Sequence, residues 1–188
     1  MSRKYKFYDQ DKPYFVTYAT VGWIDIFTRV EYKNILLDSL KFCCKNKGLK
    51  IYAWCIMTNH VHLIIGTEGD KMENILRDHK RHTSETIIKA IVDNPGESRK
   101  EWMLALFKTA GINNSNNTNY QFWQQHNKPI ELYTEDVFYQ KLEYIHNNPV
   151  KAGFVDRPEN WLYSSACDYI GVKGLLEDVI LIEFGLRN

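Results

Sequence analysis

Two short motifs place side chains of complementary chemistry at spacings to which local backbone geometry gives meaning. In His60-Val61-His62, two imidazoles stand at i and i+2. On a strand such residues project from one face, which suits a shared metal ion. Two solvated rings on an open sheet face would fit the same pattern, so the motif alone decides nothing. In the segment Leu142-Glu143-Tyr144-Ile145-His146-Asn147-Asn148, Tyr144 and Asn148 are i and i+4 and share one helix face. A phenol is a potential nucleophile toward phosphorus, and an amide oxygen beside it is a potential metal ligand. His146 is i+2 and points elsewhere. The competing reading makes Tyr144 a core aromatic and Asn148 a helix C-terminal cap.

A third cluster is basic. Arg77, Lys80 and Arg81 fall at i, i+3 and i+4, one stripe that would meet phosphates or simply face water. Lys41, Lys45, Lys47 and Lys50 carry the same ambiguity, and Arg3, Lys4 and Lys6 form a possible arm. The acidic stretch with Glu177, Asp178 and Glu183 argues against a DNA surface there.

The elements that must position these residues follow from periodicity. Residues 13–21 read as a strand, Val30 to Lys47 as a helix stopped by Gly48, and 49–57 as a second strand. Thr58-Asn59 is a tight turn into a third strand, His60 to Gly66, paired back as a hairpin. Lys71 to Val92 reads as a second long helix and 99–109 as a short one, followed by a polar loop, Gly111 to Asn119. Short strands are expected at Tyr120 to Gln124 and Ile130 to Tyr133. Thr134 caps a helix running to about Asn148, because Pro149 disfavours helical geometry before it. Trp161 to Tyr169 is expected to be helical and Val179 to Phe184 extended. The order β-α-β-β-α-β with a late helix fits an α+β fold in one domain over 1–188. Its sheet would be a split βαβ, ferredoxin-like or RRM-like antiparallel sheet with helices on one face.

Composition bounds the possibilities. Of 188 residues 44% are hydrophobic and 25% charged, which excludes disorder and fibrous repeats. Lys plus Arg number 24 against 23 Asp plus Glu, so any nucleic-acid role must rest on local patches. No apolar run approaches the roughly 18 residues of a membrane span, and the N-terminus lacks a signal-peptide core, so a cytoplasmic protein is expected. Four cysteines without a C-x-x-C pair argue for reduced thiols. The many aromatic rings suit a core and also suit base stacking.

The pairing of Met57-Thr58-Asn59-His60-Val61-His62-Leu63-Ile64 with Tyr144-Ile145-His146-Asn147-Asn148-Pro149-Val150-Lys151-Ala152-Gly153 resembles the REP-associated tyrosine transposases. These are a branch of the single-tyrosine HUH transposases. Phe122-Trp123, Trp161-Leu162-Tyr163-Ser164-Ser165 and Asp168-Tyr169 extend the likeness, so it runs from about Tyr14 to Tyr169. The resemblance implies that His60 and His62 are metal ligands, that Tyr144 is the nucleophile on a catalytic C-terminal helix, and that Asn148 is the third ligand. Some members of the wider class carry Gln at that last position. It implies a divalent ion, Mg²⁺ or Mn²⁺, although two imidazoles suit Mn²⁺, Co²⁺ or Zn²⁺ better. It also implies cleavage and rejoining of single-stranded DNA near hairpins, through a covalent 5′-phosphotyrosine and a free 3′-hydroxyl, by a monomer or homodimer. A phosphate contact at Lys80 fits the same likeness. A transposase-derived hairpin DNA or RNA binder without chemistry is the alternative. A metal hydrolase built on the histidine pair is disfavoured, because no further ligand cluster shows in the sequence.

Overall fold

Alternation along three neighbouring segments builds the sheet. The computed structural model describes residues 7–112, 119–125 and 128–182, so Arg3, Lys4, Lys6, Glu183 and Phe184 and most of the polar loop lie outside the described residues. Strands β1 (Tyr14–Ala19), β2 (Leu49–Ile56), β3 (His60–Thr67) and β4 (Ile130–Glu131) are antiparallel in the order β2-β3-β1-β4. That is the ferredoxin-like order. The fourth strand is only two residues long. Where a strand over 120–124 was expected, Trp123 makes a single bridge to Thr20 and extends the end of β1.

Helices α1 (Val30–Lys47), α2 (Met72–Asp93), α3 (Lys100–Ile112) and α4 (Glu135–Lys151) complete the fold. The helix α1 ends on Gly48 in the left-handed region (φ 71°), whose N–H reaches the Cys43 carbonyl. A side chain at Gly48 would meet the Gly69 backbone at 2.6 Å, so glycine is required twice over.

The two long amphipathic helices share one face, as expected, and the late helix takes the other. Tyr14, Val16 and Tyr18 of β1, with Val61, Leu63 and Ile65 of β3, pack against α1 and α2. On the opposite face Phe15, Ala53, Cys55 and Ile64 are covered by Phe138, Leu142 and Ile145 of α4. Both faces of the central strands are apolar, so each must be buried. Burying those three α4 side chains supplies on the order of 5 kcal/mol before ordering costs.

Two further expectations are revised. The helix α4, capped by the Thr134 hydroxyl accepting from Val137 N, runs through Pro149 and stops one turn later, at Gly153 with φ 75°. The buried proline forfeits one N–H close to the helix end, where the loss is small, and Ala152 and Phe154 close the last turn on the carbonyls of Asn148 and Pro149. Residues 161–169 are not helical apart from a 3₁₀ turn that begins at Asp168. They run along the outer edge of β2, where Tyr163 and Ser165 exchange hydrogen bonds with Ile56 and Trp54. Val179 and Ile180 cover the same edge at Ile51. An edge strand leaves backbone groups unpaired, and pairing them outweighs helical periodicity here.

Candidate active site

The strand register sets the centre of the site. His60 lies opposite Ala19 and His62 opposite Thr17, both on the α4 face, while Val61 is fully buried on the other face. The two Nε2 atoms converge at 3.0 Å. His62 is 3% exposed and His60 half-buried.

Neighbours orient both rings. Asn59 donates its amide N–H groups to the Trp23 carbonyl and to Asp25, so its oxygen is the atom facing His60 Nδ1 at 2.6 Å. Nδ1 of His60 therefore carries the proton, and Nε2 presents a lone pair to the centre. Nδ1 of His62 is held by the Thr17 hydroxyl at 2.7 Å. Phe15 stacks on the His62 ring at 5.7 Å. Burial lowers the pKa of His60. Burial, with His60 and Lys141 nearby, pushes His62 down to about 3. Both rings are thus neutral at physiological pH, the form that ligates metals.

The α4 helix delivers the other two residues. Asn148 reaches His62 Nε2 at 3.2 Å, and the Tyr144 ring lies 5.2 Å from the His62 ring and 5.8 Å from Phe15. Tyr144 keeps 39% exposure. His146 points away and bonds Ser165 Oγ at 2.9 Å. His60, His62, Tyr144 and Asn148 therefore meet at one point on the sheet face under α4.

Arg77, Lys80 and Arg81 are not brought there, since α2 packs on the other side of the sheet. Arg77 and Arg81 are 60% and 68% exposed and share Asp78. Lys80 does not continue that exposed stripe. It turns inward over the Tyr18 ring and donates to the Gln124 carbonyl at 3.2 Å, and burial lowers its pKa to about 8. Lys47 and Lys50 are paired to Asp78 and Glu68.

Four contributors were not singled out from the sequence: Thr17, Asn59, Lys141 and Lys151. Nζ of Lys141 lies 5.8 Å from the Tyr144 ring and that of Lys151 5.9 Å from it. At i−3 and i+7 from Tyr144 these lysines were open to the same helix-face arithmetic that linked Tyr144 to Asn148. The Thr17 contact had no local signal, because it depends on the pairing of β1 with β3.

The donors fit a divalent ion. Imidazole nitrogens ligate at about 2.0–2.1 Å, so two on one ion at right angles stand about 3 Å apart, as these do. Among the described residues no three His, Cys, Asp or Glu side chains converge, which leaves the Asn148 amide as the adjacent third donor.

Known proteins resemble this chain in part of its sequence and in its fold. Residues 24–110 match the model of the family described as "Transposase IS200 like". The structure of a REP-associated tyrosine transposase bound to a REP hairpin superposes with a TM-score of 0.66 at 17% identity, covering 98% of this chain and 95% of that one. A structure of a putative transposase from Deinococcus radiodurans R1 aligns at 18% identity over 78% of this chain and 97% of its own, with a TM-score of 0.44. No curated protein matches the chain. Residues 24–110 thus resemble the IS200-like transposases in sequence, and the chain as a whole has the fold of a REP-associated tyrosine transposase.

Proposed function

We propose that the chain cleaves and rejoins single-stranded DNA beside hairpins, with Tyr144 as nucleophile and a divalent cation, Mn²⁺ or Mg²⁺, held by His60, His62 and Asn148. The observation that carries this reading is the convergence of Tyr144, Asn148 and the His60–His62 pair on the sheet face under α4. The hairpin held by the similar transposase supports the choice of partner.

Tyr144 Oη attacks the scissile phosphorus. A phosphorus–tyrosine oxygen bond forms and the bond to the 3′-oxygen breaks, leaving a 5′-phosphotyrosine and, with the phenolic proton passed on, a free 3′-hydroxyl. The reverse attack by a 3′-hydroxyl rejoins strands. A cation at the histidine pair would hold a non-bridging phosphate oxygen and offset charge in the transition state. Lys141 and Lys151 put two positive charges beside the phenol, where negative charge accumulates. Phe15 and the i, i+4 spacing keep Tyr144 and Asn148 aimed at the same point. Arg77 and Arg81 offer an outer phosphate contact for the hairpin.

Tyr144→Phe tests the chemistry. Incubated with Mn²⁺ and labelled single strands that flank a hairpin, the parent should form a covalent adduct resistant to denaturation. The variant should form none while binding the hairpin within about twofold of the parent. Cleavage at the parent rate by the variant would remove Tyr144 from the mechanism and turn attention to Tyr139 or water. Binding without cleavage by the parent itself would leave a hairpin-binding protein.

A further inference from the structure

Trp23 is one of two non-glycine residues with positive φ among the described residues (φ 54°), a conformation that costs energy for a bulky side chain. Its ring gains little burial in return, being 55% exposed. The backbone around it is nonetheless fastened. Trp23 N–H donates to the Thr20 carbonyl, and its own carbonyl accepts from Asn59, the residue that orients His60. Asp25 accepts from Thr58 and Asn59, its carbonyl accepts from Arg99, and Phe27 N–H donates to the Thr58 carbonyl. The loop over 20–27 is thus clamped to the turn that begins β3. The outcome is an indole held 5.7 Å from the His60 ring, nearly perpendicular to it, and open to solvent.

We propose that Trp23 is a stacking platform for the nucleobase adjacent to the scissile phosphate. This rests on the single-strand reading above and adds a base-binding subsite to it. A phosphate seated by the histidine pair carries its neighbouring base within reach of the indole. A rigid exposed ring binds any base through its face at little entropic cost. The strained turn explains itself in these terms, since a relaxed residue there would fold as well but would not hold a ring against His60. Because the contact is with a base and not a phosphate, it adds affinity without adding salt dependence.

The experiment uses Tyr144→Phe protein with Mn²⁺, so that strands are bound and not cut, and compares a short oligothymidylate with an abasic phosphodiester chain of equal length. Trp23→Gly suits the left-handed backbone and removes the ring; Trp23→Phe keeps one. Trp23→Gly should bind oligothymidylate about tenfold more weakly, with an unchanged salt slope, and the abasic chain as tightly as before. Trp23→Phe should recover most of the loss. Parent affinity of Trp23→Gly for oligothymidylate overturns the platform, and so does an equal loss on both chains, which would mean the ring acts through the fold. If the protein with Trp23 intact binds neither chain, the single-strand reading itself fails.

Discussion

At the residue scale, the histidine pair depends on the groups behind it. A ring held by a second hydrogen bond keeps one nitrogen aimed and its tautomer set, and losing such a partner typically costs about 10–100-fold in metal affinity. Thr17→Val removes the hydroxyl at His62 Nδ1 and keeps the shape of the side chain. Calorimetric titration with Mn²⁺ should show affinity at least about tenfold weaker, with thermal stability close to the parent's. Unchanged affinity would mean that Phe15 stacking alone orients the ring. The four central residues were legible as types and local spacings. Their supports were not, since Asn59 acts through a turn and Thr17 through a register that joins residues 45 apart.

At the scale of elements, α2 and α4 illustrate how far periodicity reaches. Helical spacing brings Arg77, Lys80 and Arg81 to one side of α2, but a flexible stem lets Lys80 fold inward to Gln124 while the arginines stay in water. The consequence is measurable in hairpin binding. Arg81→Ala should weaken it and lower the magnitude of the salt slope by about one. Lys80→Met should leave that slope unchanged and lower the melting temperature, because the Gln124 carbonyl loses a donor. Equal slopes lost in both variants would return Lys80 to the DNA-facing surface. For α4, the proline rule misjudges the end by one turn, and the continuation keeps Asn148 within regular helix, in phase with Tyr144.

At the scale of the whole molecule, a buried polar chain ties the sheet to both helices of the face opposite the site. His79 of α2 bonds Tyr18 Oη at 2.8 Å and Ser39 Oγ at 2.9 Å. Burial, assisted by Lys80 and His82, pushes its imidazole from 6.5 down to about 3. The unfolded chain therefore takes up a proton below 6.5 that the folded chain refuses until about 3. This contribution to stability is complete above 6.5 and is lost as the pH falls through that window. The melting temperature should drop between neutral pH and about 4. His79→Gln, which retains a donor and an acceptor, should flatten the drop, and an unaltered profile would assign acid sensitivity elsewhere. No helix among the described residues is long and apolar enough to cross a membrane.

What the sequence determined by itself is local. Period two puts His60 and His62 on one face of a strand, and period 3.6 puts Tyr144 and Asn148 on one face of a helix, because backbone stereochemistry alone sets both. The β-α-β-β-α-β order likewise narrows the sheet to a few topologies. That the two faces meet is a tertiary decision. His62 and Asn148 are 86 residues apart, and they touch because Phe138, Leu142 and Ile145 of α4 find a patch over Ala53, Cys55 and Ile64 whose small residues admit a helix. The same holds for the segment over 161–166, drawn straight by the unpaired edge of β2, and for Trp23, whose strained turn is held by Thr58 and Asn59 just before β3 and by Arg99 just before α3. Short-range dihedral preferences are written in each residue and its neighbours. Which surfaces must be buried together, and which backbone groups still need partners, depends on the whole chain at once.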